Sequence, residues 1–384
     1  MKTKTLLMGL LTLIPLTSQA SFVESVIELE PSVLIDSEKF VFTINTNNQK
    51  LGGLNLAFPI PTDKAYAKMH SYSYNVDCNS DGKDEATNVS GNYTCMYDTP
   101  GKYTISIGGY FPKFKFNNFP REVDKLVELN NWGINEWSSL KEGFENCKNL
   151  KLFARDVPNL TNVRDMSRLF HNTRNVNQNI NNWDVSTVTN MKEMFFLSNF
   201  NQPLNNWDVS NVTNMKGMFS WNTFNQSLNN WDVSNVTSMK AMFSHSKFNQ
   251  PLYNWDVSNV TNMKGMFAYS KFDQPLSGWN VGHVTNMEEM FWGSSFNRPL
   301  NSWNLSQVTT MDKMFTGSLM SPLNSTNFLR HCSQTSVQNN VSLGFEKLDY
   351  LGGGYNVYIF FYIKNDLVIG KGWSVFEKNR NVFN

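Results

Sequence analysis

The sequence predicts an N-terminal all-β sandwich followed by an α/β solenoid with one short parallel strand and one short helix per coil. Three observations carry this prediction. Trp183, Trp207, Trp231, Trp255, Trp279 and Trp303 recur at a constant spacing of 24 residues, and a fixed period of that size marks a stacked-repeat architecture. Within each unit, period-two alternation around the Trp gives way to apolar residues three and four apart. Ahead of the array lie the β-favouring runs KFVFTIN, NLAFPI, SYSYNVDC, NYTCMYD and KYTISIGGYF, separated by Asn, Asp, Gly and Pro.

Residues 1–20 carry Lys2 and Lys4, an apolar run from Leu6 to Leu16 and a small-residue Ser18-Gln19-Ala20 terminus, the pattern of a secretory signal peptide. The run is too short for a membrane span of roughly 20 residues, so the mature chain is expected to be exported, secreted or held at the cell surface, without membrane insertion. No Cys follows the cleavage point and the tail shows no apolar anchor, so lipid attachment is not expected. Loss of Lys2 and Lys4 takes the formal charge from +1 to −1, and no nucleic-acid partner is implied.

Residues 21–120 form the expected sandwich. An exported chain invites disulfides, and Cys78 with Cys95 is the expected pair, in two strand-like runs joined by a polar turn. Asp77, Asn79, Asp81, Gly82 and Glu85 copy the opening of a calcium-loop spacing, but the twelfth position is Asn88 where a bidentate Glu is needed. Asp77, Asn79 and Asp81 are therefore weak calcium candidates, and a hairpin turn is the preferred reading.

Residues 121–324 form the expected solenoid. Two worn copies, 137–150 and 159–170, precede the regular ones, with Leu140 and Phe144 in the places of Met166 and Phe170, giving about eight coils. Trp207 and Val209 alternate with Asn206 and Asp208 as a half-buried strand. Val212, Met215, Met218 and Phe219 share one face of a predicted helix. Asn201, Asn225, Asn249, Asp273 and Asn297 form a column predicted to be an amide ladder that satisfies turn backbone. Asp184, Asp208, Asp232 and Asp256 stack outward, through hydrogen bonds to the following Ser or, alternatively, as a cation-binding face. Lys192, Lys216, Lys240 and Lys264 form a solvated column or a docking stripe.

One place in the unit does not repeat. After the recurring Met-Phe the chain reads Phe196-Leu197, Ser220-Trp221, Ser244-His245, Ala268-Tyr269 and Trp292-Gly293. Loop positions free of packing demands can diversify, and surface aromatics make favoured anchors. Phe196, Trp221, His245, Tyr269 and Trp292 are therefore the predicted ligand-binding stripe; packing of these rings over neighbouring coils is the alternative.

Residues 325–384 read as a cap with a terminal strand, in which Phe360 and Phe361 are expected to be buried. Cys147 and Cys332 flank the array and are expected to be unpaired. The five histidines share no ligand spacing, and nucleophile-elbow, zinc-protease and phosphate-loop patterns are lacking. His331 and Cys332, adjacent in an expected extended segment, should point to opposite faces. No catalytic residue, metal or cofactor is predicted. A secreted carbohydrate-active enzyme or accessory module is the alternative, since an Asp column offers paired carboxylates.

The motif WDVSNVTNMKGMF with FNQPLNNW resembles the BspA-like bacterial surface-protein repeats, relatives of leucine-rich repeats also noted in Mycoplasma lipoproteins. NYTCMYDTPGKYTISIGGYFPKF resembles the PKD-type β-sandwich that often precedes them. The resemblance implies a leucine-rich-repeat type of solenoid in an exported bacterial protein that binds an extracellular protein or glycan in adhesion and has no catalytic residues; a monomer is expected.

Overall fold

The computed structural model describes residues 37–48, 55–68, 70–345 and 366–377. The signal-peptide segment and the apolar run holding Phe360 and Phe361 lie outside these residues. Among the described residues no helix is long and apolar enough to cross a membrane.

The N-terminal strands are β1 (Phe40–Asn45), β2 (Ala57–Pro59), β3 (Ser73–Asp77), β4 (Ala86–Val89), β5 (Thr94–Met96) and β6 (Lys102–Tyr110), with a one-turn helix α1 (Lys64–Ala67) after β2. β1 reads FVFTIN, alternating and β-branched, and its first five residues are buried. It pairs antiparallel with β6 on one side and with β7 (Leu126–Asn131) on the other; β8 (Lys151–Leu152) then adds parallel to β7.

The result is a six-stranded mixed sheet, order β4-β3-β6-β1-β7-β8, faced by a two-stranded ribbon of β2 and β5. The predicted sandwich is corrected accordingly. The sheet does not end near residue 120 but draws its last two strands from the segment leading into the repeats. Phe58 of β2 meets Phe42 of β1 at 6.0 Å between ring centres. Cys78, just beyond β3, is bonded to Cys95 of β5 with 5.7 Å between Cα atoms, so this disulfide ties ribbon to sheet.

The repeats do stack, but not as strand-and-helix coils. No residue of the regular coils is helical, and the predicted α/β solenoid of leucine-rich-repeat type is overturned. In the helix predicted around Met215, Gly217 and Trp221 have φ of 62° and 53°, left-handed values at which an α-helix of L-residues cannot continue. The amides of Met215, Gly217, Phe219 and Trp221 instead donate to the carbonyls of Ser238, Lys240, Met242 and Ser244 in the next coil, at 3.1, 2.8, 2.9 and 2.8 Å. Those of Met218 and Ser220 close four-residue turns onto Met215 and Gly217.

Tandem tight turns and a helix both bring residues three and four apart to one side, which is why the apolar spacing suits either. The predicted strand is displaced too: parallel bridges between coils fall at Asn190, Asn214, Ser238, Asn262, Asn286 and Thr310, not at the Trp.

The stack is held by columns. Phe144, Phe170, Phe195, Phe219, Phe243, Phe267, Phe291 and Phe315 lie face to face, 5.6–5.9 Å between ring centres, one ring for each of eight coils. Trp207, Trp231, Trp255, Trp279 and Trp303 are buried and donate Nε1–H to the carbonyls of Ile180, Leu204, Leu228, Leu252 and Leu276, at 2.8–3.0 Å. The Asn column is a ladder: the amides of Asn225, Asn249, Asp273 and Asn297 each donate 2.8 Å to the side-chain oxygen 24 residues earlier. Only part of each coil's backbone bonding is internal and the rest runs to its neighbours, so each depends on the next.

Both ends are covered. Phe144 meets Phe114, Phe116 and Trp132 of the N-terminal unit at 4.8–5.9 Å. At the far end, β9 (Met311–Phe315), β10 (Ser342–Phe345) and β11 (Ser374–Glu377) make a parallel sheet, and α2 (Pro322–Gln334) lies between β9 and β10 in sequence. Ser321 caps α2 while its own amide donates 2.8 Å to Asn297 Oδ1, the last rung of the ladder. Phe328 then sets its edge on Phe315 at 5.2 Å.

Candidate recognition face

Each coil has two left-handed residues four apart, and Trp221, His245 and Tyr269 occupy the second place, at φ 53–54°. The same backbone geometry in successive coils turns their side chains outward in one file. Trp221 and His245 stack at 3.9 Å with 9° between planes, His245 and Tyr269 are 4.6 Å apart, and Tyr269 and Trp292 are 4.8 Å apart at 56°. Trp292 comes from the position one residue earlier and reaches the file because its neighbour is Gly293; a Cβ there would lie 2.6 Å from the Tyr269 ring.

Four of the five predicted aromatics are thus one ladder, with Trp221 52 % and Tyr269 43 % exposed. Phe196 is not in direct ring contact with Trp221. It stacks on His171 at 4.8 Å and 8°, since Leu197 fills the left-handed place in that coil. Both rings of this second pair are only partly accessible.

Two members escape the sequence reading. Lys313 Nζ sits 5.8 Å from the centre of the Trp292 ring, at cation–π range. His171 takes the slot of Phe196, but the coil spacing there is 25 rather than 24, which hides the column from a fixed-period search.

His171 sits among Arg168, Glu145 and Glu193. Burial, and then the Arg168 guanidinium, hold its pKa at about 4, against an opposing pull from Glu193. The buried Glu145 carboxyl is itself pushed up by burial and paired with Arg168. Because the folded-state value lies below that of the unfolded chain, near 6.5, the fold favours neutral His171. That contribution is full above pH 6.5 and is lost as pH falls through the interval down to about 4. His171→Gln should therefore lose less stability than the parent between pH 7 and pH 5, by about 1 kcal/mol once solvent screening is allowed for. Thermal midpoints of the two proteins at both pH values check this, and equal acid losses would refute it.

The other predicted columns are quieter. Asp184, Asp208, Asp232 and Asp256 each accept from the backbone amide two residues on, at 3.0–3.1 Å. These hydrogen bonds, led by that of the Ser hydroxyl, lower the pKa of Asp184 and Asp232.

In the N-terminal loop, Asp77 accepts from the amides of Asn79 and Gly82, Asn79 from Asp81, and Asp81 from Lys83. The three weak calcium candidates thus spend oxygens on turning the β3–β4 hairpin. Cys147 and Cys332 are free thiols, fully buried and displaced upward in pKa by that burial. His331 is on helix α2, not in an extended segment, and its Nε2 lies 2.6 Å from the Trp303 carbonyl.

Near-identical cores, recurring inter-coil bonds and outer positions that change from coil to coil define a tandem-repeat protein. Residues 138–247 and 221–328 match the family described as Mycoplasma protein of unknown function, DUF285. The match begins in the first worn coil and stops within α2; it does not extend to the region likened to a PKD-type sandwich. No curated protein and no solved structure matches the chain.

Proposed function

We propose that this is an exported, non-enzymatic binding protein, secreted or displayed at the cell surface, whose coil face takes an extracellular partner in adhesion-type contacts. The observation that carries the reading is the ladder Trp221-His245-Tyr269-Trp292: partly exposed rings on a rigid stack, varied where the buried Trp and Phe columns beneath are uniform. Large aromatics held by a fixed scaffold lose little entropy on binding and recur at interface hot spots.

A protein partner is favoured over a glycan. Sugars pack on open ring faces, and here the faces between coils are taken up by the neighbouring rings, leaving edges outward. The Asp carboxylates turn back onto their own loops, so nothing in their geometry favours sugar hydrolysis.

An array of immobilised extracellular-matrix proteins and glycans, probed with the full mature chain, tests the reading. Binding to a protein is expected, weakened at least about tenfold by the double variant Trp221→Ala/Tyr269→Ala, in line with loss of more than about 1.4 kcal/mol at hot spots. The variant's thermal midpoint should move by only a few degrees, because the removed rings are about half exposed. Unchanged binding together with a large stability loss would assign the rings to loop packing instead.

A further inference from the structure

The segments that carry Trp221, His245 and Tyr269 differ in charge from those on either side. Between Met215 and Phe224, Met239 and Phe248, and Met263 and Phe272, the charged residues are Lys216, Lys240, Lys247, Lys264 and Lys271, with no carboxylate. The corresponding segment before them has Glu193 beside Lys192, the next after them has Glu288 and Glu289, and the last has Asp312 beside Lys313. Among the regular coils, a net positive charge in this segment is therefore confined to the three that carry Trp221, His245 and Tyr269.

Some of that charge is compensated within the stack. Lys264 Nζ is 2.7 Å from Glu288, and Lys192 is 3.8 Å from Glu193. Lys216, Lys240, Lys247 and Lys271 form no ion pair among the described residues, and Lys247 and Lys271 are exposed. They flank the rings along the chain, Lys216 and Lys240 five residues before Trp221 and His245, Lys247 and Lys271 two residues after His245 and Tyr269. Charges of one sign beside a half-exposed aromatic file call for a partner that supplies both carboxylates and apolar contact.

The class of anion follows from the rings. Single-stranded nucleic acid binds by stacking bases on free aromatic faces, and His245 has one ring on each side, Trp221 at 3.9 Å and Tyr269 at 4.6 Å. Ring edges can still pack against aliphatic and aromatic side chains. We propose that the coils carrying Trp221, His245 and Tyr269 dock an acidic polypeptide segment, its Asp and Glu carboxylates meeting Lys216, Lys240, Lys247 and Lys271 while its apolar side chains pack on the ring edges. The proposal rests on the reading of this face as a recognition surface and names the chemistry of its partner.

Fluorescence anisotropy with the full mature chain and three labelled probes tests it: poly-L-glutamate, a heparin oligosaccharide and oligothymidylate of matched charge. Poly-L-glutamate should bind best and weaken at least about tenfold when salt rises from about 50 to about 300 mM, since exposed charges are screened within a Debye length. Replacing all four lysines by Gln should weaken it at least about tenfold at low salt with the melting profile unchanged, and replacing them by Arg should preserve it.

No binding of poly-L-glutamate, no effect of the Gln variant, or tighter binding of heparin or oligothymidylate would each overturn the acidic-peptide assignment. If the Gln variant keeps a matrix-protein interaction that Trp221→Ala/Tyr269→Ala loses, the recognition reading stands and this assignment alone falls.

Discussion

Phe243→Ala should lower the unfolding free energy by about 3–5 kcal/mol, the usual cost of truncating a buried Phe. The ring is fully buried and touches four others: Phe219 and Phe267 in the adjacent coils at 5.8 Å, Phe248 at 4.1 Å and Trp255 at 6.3 Å. Collapse cannot fill the gap. The backbone around it is fixed by bonds to both neighbours, the Phe243 amide donating 2.9 Å to the Met266 carbonyl and Phe219 donating 2.9 Å to Met242. A cavity in the middle of the stack weakens the Phe column through which one half supports the other, so the transition should also become less cooperative. Urea unfolding followed by tryptophan fluorescence measures both effects; a loss under about 1 kcal/mol with an unchanged slope would contradict this account of the core.

Removal of the Cys78–Cys95 bond is the second large effect expected. The bond closes a loop with a sequence separation of 17, for which the chain-entropy relation gives about 3 kcal/mol. Both cysteines are buried, and the two-stranded ribbon is too short to hold itself: β2 and β5 are three residues each. Cys78→Ala/Cys95→Ala should thus raise amide exchange in β2 and β5 first and lower the thermal midpoint of the N-terminal unit. The coils from Trp207 onward should keep their protection. Equal exchange in β2 and β5 with and without the bond would show that Phe58 packing on Phe42 holds the ribbon by itself.

How much of this was legible in the sequence follows from what repeats. The strict 24-residue spacing from Trp183 onward exposes the buried Trp, Val, Met and Phe columns and the Asn ladder, because identical neighbours demand identical side chains. In the worn coils the equivalent rings Phe144, Phe170 and Phe195 are 26 and 25 residues apart, which hides His171 although it shares the aromatic face.

Backbone shape was not legible. Gly217, Gly265, Gly293 and Gly317 hint at left-handed geometry, but Glu193, Ala241, Glu289, Trp221, His245 and Tyr269 adopt it too, and a residue type that disfavours a conformation gives no signal when neighbouring coils enforce it. The inter-coil bonds were hidden for the same reason: they are made by backbone, whose pairing at Asn214 and not Trp207 leaves no mark in side-chain alternation. At the N-terminus, β7 sits inside the repeat-bearing half of the sequence yet completes the sheet beside β1, a long-range pairing that local pattern cannot reveal. The ladder of Trp221, His245 and Tyr269 was readable as a variable column, but its ring-on-ring contacts and the exclusion of Phe196 depend on that unseen backbone.

The rule by which coils bond has a consequence for how such a protein can change. Thr237 donates back to Thr213 and Met239 forward to Asn262, and Thr261 and Met263 do the same one unit on. Every junction between regular coils is therefore interchangeable with every other, and a whole unit can be duplicated, deleted or transposed in frame without making a new kind of interface. The array behaves as a polymer whose degree of polymerisation is free, with the order of its monomers written only on the outer edge. Recombination between units would lengthen or reshuffle that edge in a single event while leaving both end caps untouched.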